Sequence, residues 1–482
     1  MQRRHFLVSS AAALTAAQSV FGSPNDTVRI AVIGVGGKGA RLGGRGRNHL
    51  DSFGRLDKVE IAAVADVDQT HLDFGLSLVE KNPNQGKRPA GYIDFRKILD
   101  DKSIDAISIA TPNQWHTLMT IWGCQAGKDV YVEKPCSYNV FESKQIVAAA
   151  RKYNRMVQHG SQIRSSLAVQ DAMQKMRDGL IGEVYLSRGL CYKWRDTIGH
   201  TPVSPVPAGV DYDLWTGPAP KRDFTMNRFH YNWHWFWDYG NGDLGNQGIH
   251  QVDVARWGLG VKYPVKVSAI GGHYMFDDDQ ETPNVLNCAF EFDDNGKRKM
   301  MEFEVRHWMT NGEASIGAPR IGPPQVDPED APQREAGAGR RGGGEGGPGG
   351  LGGRGGRGPG GPSSDRIGNL FYGSKGYLAV DSYSSYKSWI GKAGEPGPSD
   401  NKGGDHFLNF IEAVRSRKRE SLNSEVEEGA MSSVLVHLAN VSYRVGRTLH
   451  FDAATMTCKD DKQANELLTR QYRTPFVVPE KV

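Results

Sequence analysis

Val28–Arg29–Ile30–Ala31–Val32–Ile33–Gly34–Val35–Gly36–Gly37–Lys38–Gly39 is an apolar run that breaks into a glycine-rich turn. A helix-length stretch follows, then Ile61–Ala62–Ala63–Val64–Ala65, which stops on Asp66. The order is strand, glycine turn, helix, strand, acid, and each part suits a bound dinucleotide. Gly34 permits a tight turn, Gly36 lets the backbone approach a pyrophosphate, and Gly39 allows close helix–strand packing, with Gly37 between them. The helix points free N–H groups and its positive end at the phosphates. Asp66 is expected to accept from the adenosine ribose hydroxyls, which favours NAD over NADP because a carboxylate repels a 2′-phosphate. Arg41 or Arg45 would compensate if NADP were bound. Asp66 lies further beyond Gly39 than the ~20 residues usual for this motif, so a lengthened helix or exit loop is expected.

Alternation of strands and helices continues to about residue 159. Asp105–Ala110 is a buried strand ending at Thr111–Pro112–Asn113, and Asp129–Val132 another, ending at Glu133–Lys134–Pro135. Such alternation predicts a parallel sheet covered on both faces, with ligands beyond the carboxyl ends of its strands. From residue 160 the strands lengthen and turn aromatic-rich, which predicts a second α/β domain with a large, mostly antiparallel open sheet over 160–450. Phe229–Trp237 is densely aromatic. Trp233, Trp235 and Trp237 read either as core or as a sugar-stacking surface. A helix over about Asn246–Trp257 places His250 and Asp253 one turn apart, where they can share a face. Residues 312–365 are low in complexity, mostly glycine, arginine and proline, and cannot bury enough apolar surface to fold. They read as a disordered insert. Residues 451–482 read as a tail that wraps the surface or a partner subunit.

With 482 residues and a net charge of +4, the chain has room for two domains and no large basic surplus, which argues against a nucleic-acid partner. The five cysteines are scattered, forming neither a disulfide framework nor a metal-ligand spacing, so no metal is expected. Residues 1–24 have the form of a signal peptide. Arg3–Arg4–His5–Phe6–Leu7 precedes a short apolar run and resembles a twin-arginine signal. The run is too short for stable membrane insertion. The chain is therefore expected in the periplasm, keeping its cofactor bound and regenerating it within each turnover.

These motifs together resemble the Gfo/Idh/MocA oxidoreductases, the relatives of glucose–fructose oxidoreductase and inositol dehydrogenase. The likeness rests on the glycine turn, on Ala110–Thr111–Pro112–Asn113 with His116, on Glu133–Lys134–Pro135, and on Gly242–Asp243–Leu244–Gly245–Asn246–Gln247–Gly248–Ile249–His250 with Asp253. It implies a Rossmann domain over 27–159, NAD(P)-dependent oxidation of a sugar, sugar-derivative or cyclitol hydroxyl, and a homo-oligomer, dimer or tetramer. It also places Lys134 beside cofactor and substrate and makes His250 the proton acceptor. Many family members carry aspartate where this chain has Asn246. An amide can hydrogen-bond a hydroxyl but cannot raise the histidine's basicity by charge, so Asp243 or Asp253 is expected to substitute in part.

The candidate catalytic residues are thus Lys134 and His250. Cofactor is expected against Gly34, Gly36, Gly37, Gly39, Asp66, Thr111, Pro112, Asn113, His116, Glu133 and Lys134. Substrate is expected against Lys193, Arg195, His234, Asn246, Gln247 and Asp253. Two outcomes fit a retained cofactor: coupled oxidation and reduction of two sugars, or redox-assisted cleavage of a glycoside. A dinucleotide-bearing binding protein without catalysis is the reading from another class.

Overall fold

The computed structural model describes residues 27–36, 44–308 and 366–482. The expectations for residues 1–24, Gly37, Gly39, Arg41 and the insert at 312–365 lie outside these. The first sheet is parallel, with strands β1 (Val28–Ile33), β2 (Val59–Ala65), β3 (Ala90–Tyr92), β4 (Ala106–Ile109), β5 (Asp129–Val132) and β6 (Val157–His159). Their spatial order, β3-β2-β1-β4-β5-β6, is that of a dinucleotide-binding sheet. The central runs, Ile30–Ile33 and Ile61–Ala65, are apolar because helices cover both faces. Ile33, Ile107, Ile109 and Val132 pack into one core layer and Ile30, Val32, Ile61 and Val64 into another.

The second sheet has ten strands: β7 (Val184–Lys193), β8 (Lys266–Gly272), β9 (Val285–Asp294), β10 (Lys297–His307), β11 (Arg366–Gly373), β12 (Gly376–Val380), β13 (Ser385–Ile390), β14 (Glu395–Asn401), β15 (Leu449–Asp452) and β16 (Thr457–Cys458). All its pairings are antiparallel except β7 with β10 at the centre. Alternate residues face inward, with Leu286, Cys288, Phe290 and Phe292 on β9 and Met301, Phe303 and Val305 on β10. They bury against the helices Gly248–Leu259 and Val426–Val445. On the opposite face Ile270 and Met300 are exposed.

The helix expected over about 246–257 is Gly248–Leu259, two residues further on and preceded by a short helix, Gly242–Asn246. The C-terminal segment wraps this chain's own surface, touching both domains. Tyr472 donates to Glu142 Oε1 (3.0 Å), Arg473 donates to Gly217 O (2.9 Å), and Phe476 sits edge-on to Trp115.

Asp253 ties the helix Gly248–Leu259 to the segment after β6 and to the helix Val426–Val445. It is fully buried, and Arg164, which follows β6, donates to both its oxygens at 2.7 and 2.9 Å while Ser432 donates to Oδ1 at 2.6 Å. Burial alone would raise its pKa, but Arg164 and the other donors bring it down to about 2. Breaking one side of such a pair strands a buried charge. Asp253→Asn is expected to cost about 3 kcal/mol, read as a lowered urea midpoint. A shift worth less than about 1 kcal/mol would contradict this role.

Candidate active site

A cleft of about 1110 Å³, open solvent included, runs along the carboxyl ends of the first sheet, roofed by His230, Tyr231, Trp233, His234 and Asn246 of the second domain. At one end Gly34 turns the chain with φ +86°, and its N–H donates to Ala65 O. Gly44 N–H donates back to Val35 O, closing the loop onto the helix Arg45–Gly54. That helix starts without a side-chain cap or an acidic first turn, so its N-terminus is left for an anion. A Cβ on Gly36 would lie 2.3 Å from His71 Nδ1, so only glycine leaves the backbone open here. Asp66 sits behind the turn, its Oδ2 accepting from Val35 N (2.7 Å) and Gly36 N (3.0 Å) and its Oδ1 from Asp68 N (3.0 Å). These residues fit a dinucleotide: a backbone cradle, an uncapped helix end and an acid at the end of β2. The task the structure shows for Asp66, which the sequence did not announce, is to hold the glycine turn in shape.

Thr111, Pro112, Asn113, His116, Glu133 and Lys134 all line the cleft. Two of them are braces. His116 is buried with Nδ1 2.6 Å from Pro135 O and Nε2 2.8 Å from Thr111 O, so it joins the loops after β4 and β5. Glu133 Oε1 accepts from Arg45, His49 Nε2 and Gln162 Nε2, all at 3.0–3.1 Å. Burial opposes its charge, but Arg45 and His49 hold its carboxyl well below the usual range. This also corrects the expectation for Arg45, whose guanidinium is committed to Glu133 rather than aimed at Asp66. Arg45, His49 and Gln162 were not legible as a set, because no fixed spacing relates them.

Lys134 stands where the two domains meet, its Nζ donating to Asn246 Oδ1 at 3.1 Å. Loss of water lowers its pKa to about 8, with Arg45 adding to the shift and Glu133 opposing it. His250 is buried beside the Tyr383 ring, outside the cleft lining, and its Nδ1 has no hydrogen-bond partner. Burial, then the charge on Lys134, hold it well below the ordinary imidazole range, so it is neutral. His234 lines the cleft, is likewise held neutral by burial and by Arg195, and has an unpartnered Nε2. Arg195 is spent on Asp243 (3.3 Å) and Tyr231 (3.0 Å), while Asp243 also receives His307 Nε2 at 3.0 Å. Gln247 donates to Tyr383. Lys193 ends β7 opposite His307, outside the cleft lining.

Neither aspartate expected to support His250 does so. Asp253 is committed to Arg164 and Ser432, and Asp243 to Arg195 and His307. Of the tryptophans, Trp235 packs in an aromatic core with Tyr212, Trp215 and Phe229, whereas Trp233 lines the cleft.

Residues 28–161 match the oxidoreductase family's NAD-binding Rossmann fold, and residues 167–284 and 373–478 match its C-terminal α/β domain. The chain belongs to the Gfo/Idh/MocA family. A glycosyl hydrolase family 109 protein of Shewanella pealeana is 35% identical over 167 residues, 33% of this chain and 34% of that one. The α-N-acetylgalactosaminidase of Shewanella oneidensis is 30% identical over 164 residues, 33% and 34% of the two chains. The chain thus spans about a third of the length of these curated relatives. Among solved structures, the aldose–aldose oxidoreductase of Caulobacter crescentus complexed with glycerol has a TM-score of 0.58 at 17% identity, over 88% of this chain and all of that one. Levoglucosan dehydrogenase, complexed with NADH and levoglucosan, has the same score at 15% identity, over 88% and 99%. These two share the fold.

The first domain is an NAD-binding Rossmann domain, and its cradle depends on the missing Cβ at Gly36. Gly36→Ala is expected to weaken NAD binding at least about tenfold, about 1.4 kcal/mol, by isothermal titration. Unchanged affinity would contradict the cradle.

Proposed function

We propose that this protein oxidises a hydroxyl of a sugar, sugar derivative or cyclitol at the Lys134 end of the cleft. The observation that carries the reading is the Lys134 Nζ–Asn246 Oδ1 bond, which joins the cofactor domain to the second domain within the cleft lining. Bound NAD would supply the hydride acceptor. The chain supplies the rest. Lys134, as the ammonium, donates a hydrogen bond to the reacting oxygen and stabilises its developing negative charge. Asn246, already oriented by Lys134, offers its amide to a neighbouring hydroxyl. Neutral His250, with a free Nδ1, takes the hydroxyl proton. His234, with its own free nitrogen, and Trp233 form the wall against which a sugar ring would rest.

A second reading shares these residues. After oxidation, the C–H next to the new carbonyl is acidic, so a base can take that proton while the glycosidic oxygen leaves as the alcohol. Water then adds to the resulting unsaturated ketone before its carbonyl is reduced again. The glycosyl hydrolase family 109 names of the curated relatives favour this version. Export also belongs to the proposal, supported by Arg3–Arg4 and the apolar run after them, and so does retention of the cofactor. Among the described residues no helix is long and apolar enough to cross a membrane. The open sheet face around Ile270 and Met300 supports a homo-oligomer.

Two measurements test the reading. A panel of sugars and aryl glycosides separates the outcomes, since keto-sugar signals net oxidation and aglycone release without reduced cofactor signals redox-assisted cleavage. Neither product from any member would leave the binding-protein reading. The role of Lys134 has its own signature. Because its ammonium is the active form, kcat/KM is expected to be level below neutrality and to fall as pH rises through about 8. Lys134→Arg should remove that fall while lowering kcat. A profile that instead rises through about 8 would make Lys134 the base and overturn the assignment.

A further inference from the structure

The far wall of the cleft carries a cluster with no counterpart in the sequence motifs. Asp68 precedes the helix Gln69–Glu80 and caps it by accepting from Thr70 N. His71 lies in the first turn of that helix, and His230 arrives from the second domain. His230 Nε2 is 2.9 Å from Asp68 Oδ2. His71 Nδ1 is 3.9 Å from the same oxygen, too far for a hydrogen bond, and it is a buried nitrogen without any partner. The two imidazole centroids are 4.2 Å apart. His230 is held at φ +55°, a left-handed conformation that a non-glycine residue keeps only where its surroundings enforce it.

One hydrogen bond between Asp68 and His230 leaves His71 Nδ1 orphaned, and so does not account for the cluster. A cation accounts for all three groups together. The three ligand-capable atoms lie within 4.8 Å of one another. Ligand atoms ~2.0–2.2 Å from a tetrahedral centre stand roughly 3.3–3.6 Å apart, a span bracketed by the 2.9 and 3.9 Å separations. Two imidazoles and a carboxylate are the donor set of zinc-class ions with an open fourth position.

We propose that Asp68, His71 and His230 bind one divalent transition-metal ion of the zinc class. The ion clamps residue 230 and its flanking segment onto the first domain at the edge of the dinucleotide cleft. His71 and His230 both line the cleft, so the remaining coordination position opens into it, toward water or an oxygen of a bound anion. The expectation of no metal rested on ligand spacing along the chain. A site assembled from two domains escapes that test.

Untagged full-length protein, stripped with a chelator and titrated with Co²⁺, tests this without substrate or turnover. Its outcome is therefore independent of the redox reading. The wild type is expected to take up one Co²⁺ per chain with ligand-field absorption in the visible, displaced by Zn²⁺. His71→Ala and Asp68→Asn should each weaken binding at least about tenfold, with the far-ultraviolet circular dichroism unchanged. Asparagine can still accept from Thr70 N–H, so Asp68→Asn keeps the helix cap while losing the charged ligand. Co²⁺ uptake well below one per chain in the folded wild type would overturn the proposal. So would a Co²⁺ spectrum that survives both substitutions.

Discussion

The buried carboxylate of Glu133 is the interaction on which the site depends. One oxygen collects Arg45 from the start of the first helix, His49 from its middle and Gln162 from the segment after β6. Stranding that charge would be costly, so its partners are fixed, and with them the helix end that faces the cleft. The next residue, Lys134, is thereby projected between the domains to meet Asn246. The negative charge of Glu133 partly offsets the loss of water around Lys134 and leaves its proton exchangeable near neutrality. One anion thus holds the helix end at the cleft and restrains the fall in the Lys134 pKa that burial causes.

A second constraint is the division of labour among polar groups. Most charged side chains near the cleft are already paired: Arg195 with Asp243, Arg164 with Asp253, Arg45 with Glu133. Nε2 of His234 and Nδ1 of His71, both in its lining, and Nδ1 of His250, outside it, have no partner. Buried polar atoms without partners are uncommon in folded chains, and they point to where a ligand belongs. Of the three, His250 and His234 stand toward the Lys134 end and His71 toward the glycine turn.

Much of this was legible in the chain. The glycine turn, the acid at the end of β2 and the apolar parallel strands are local patterns, and local patterns fix a dinucleotide-binding domain. Lys134 and Asn246 were legible as motif members, although not as partners 3.1 Å apart. What was not legible was assembled over long distances. Asp253 looked like support for His250 because helical spacing puts both on one turn, yet Arg164 lies closer to its carboxylate than any imidazole. The parallel pairing of β7 with β10 and the two outer strands β13 and β14 leave no signature in residue alternation. The cluster of Asp68, His71 and His230 spans two domains, beyond the reach of any spacing rule.

The central claim is that Lys134 assists removal of hydride from a sugar carbon held at the junction of the two domains. A single-turnover experiment tests it most directly. Full-length protein loaded with one equivalent of NAD is mixed with each member of a sugar panel while the near-ultraviolet absorbance of reduced nicotinamide is followed. The account predicts that at least one sugar produces that absorbance in the wild type. It also predicts that Lys134→Ala, still binding NAD, produces it far more slowly. An equal rate in the two proteins, or no reduction by any sugar in the NAD-loaded wild type, would contradict it.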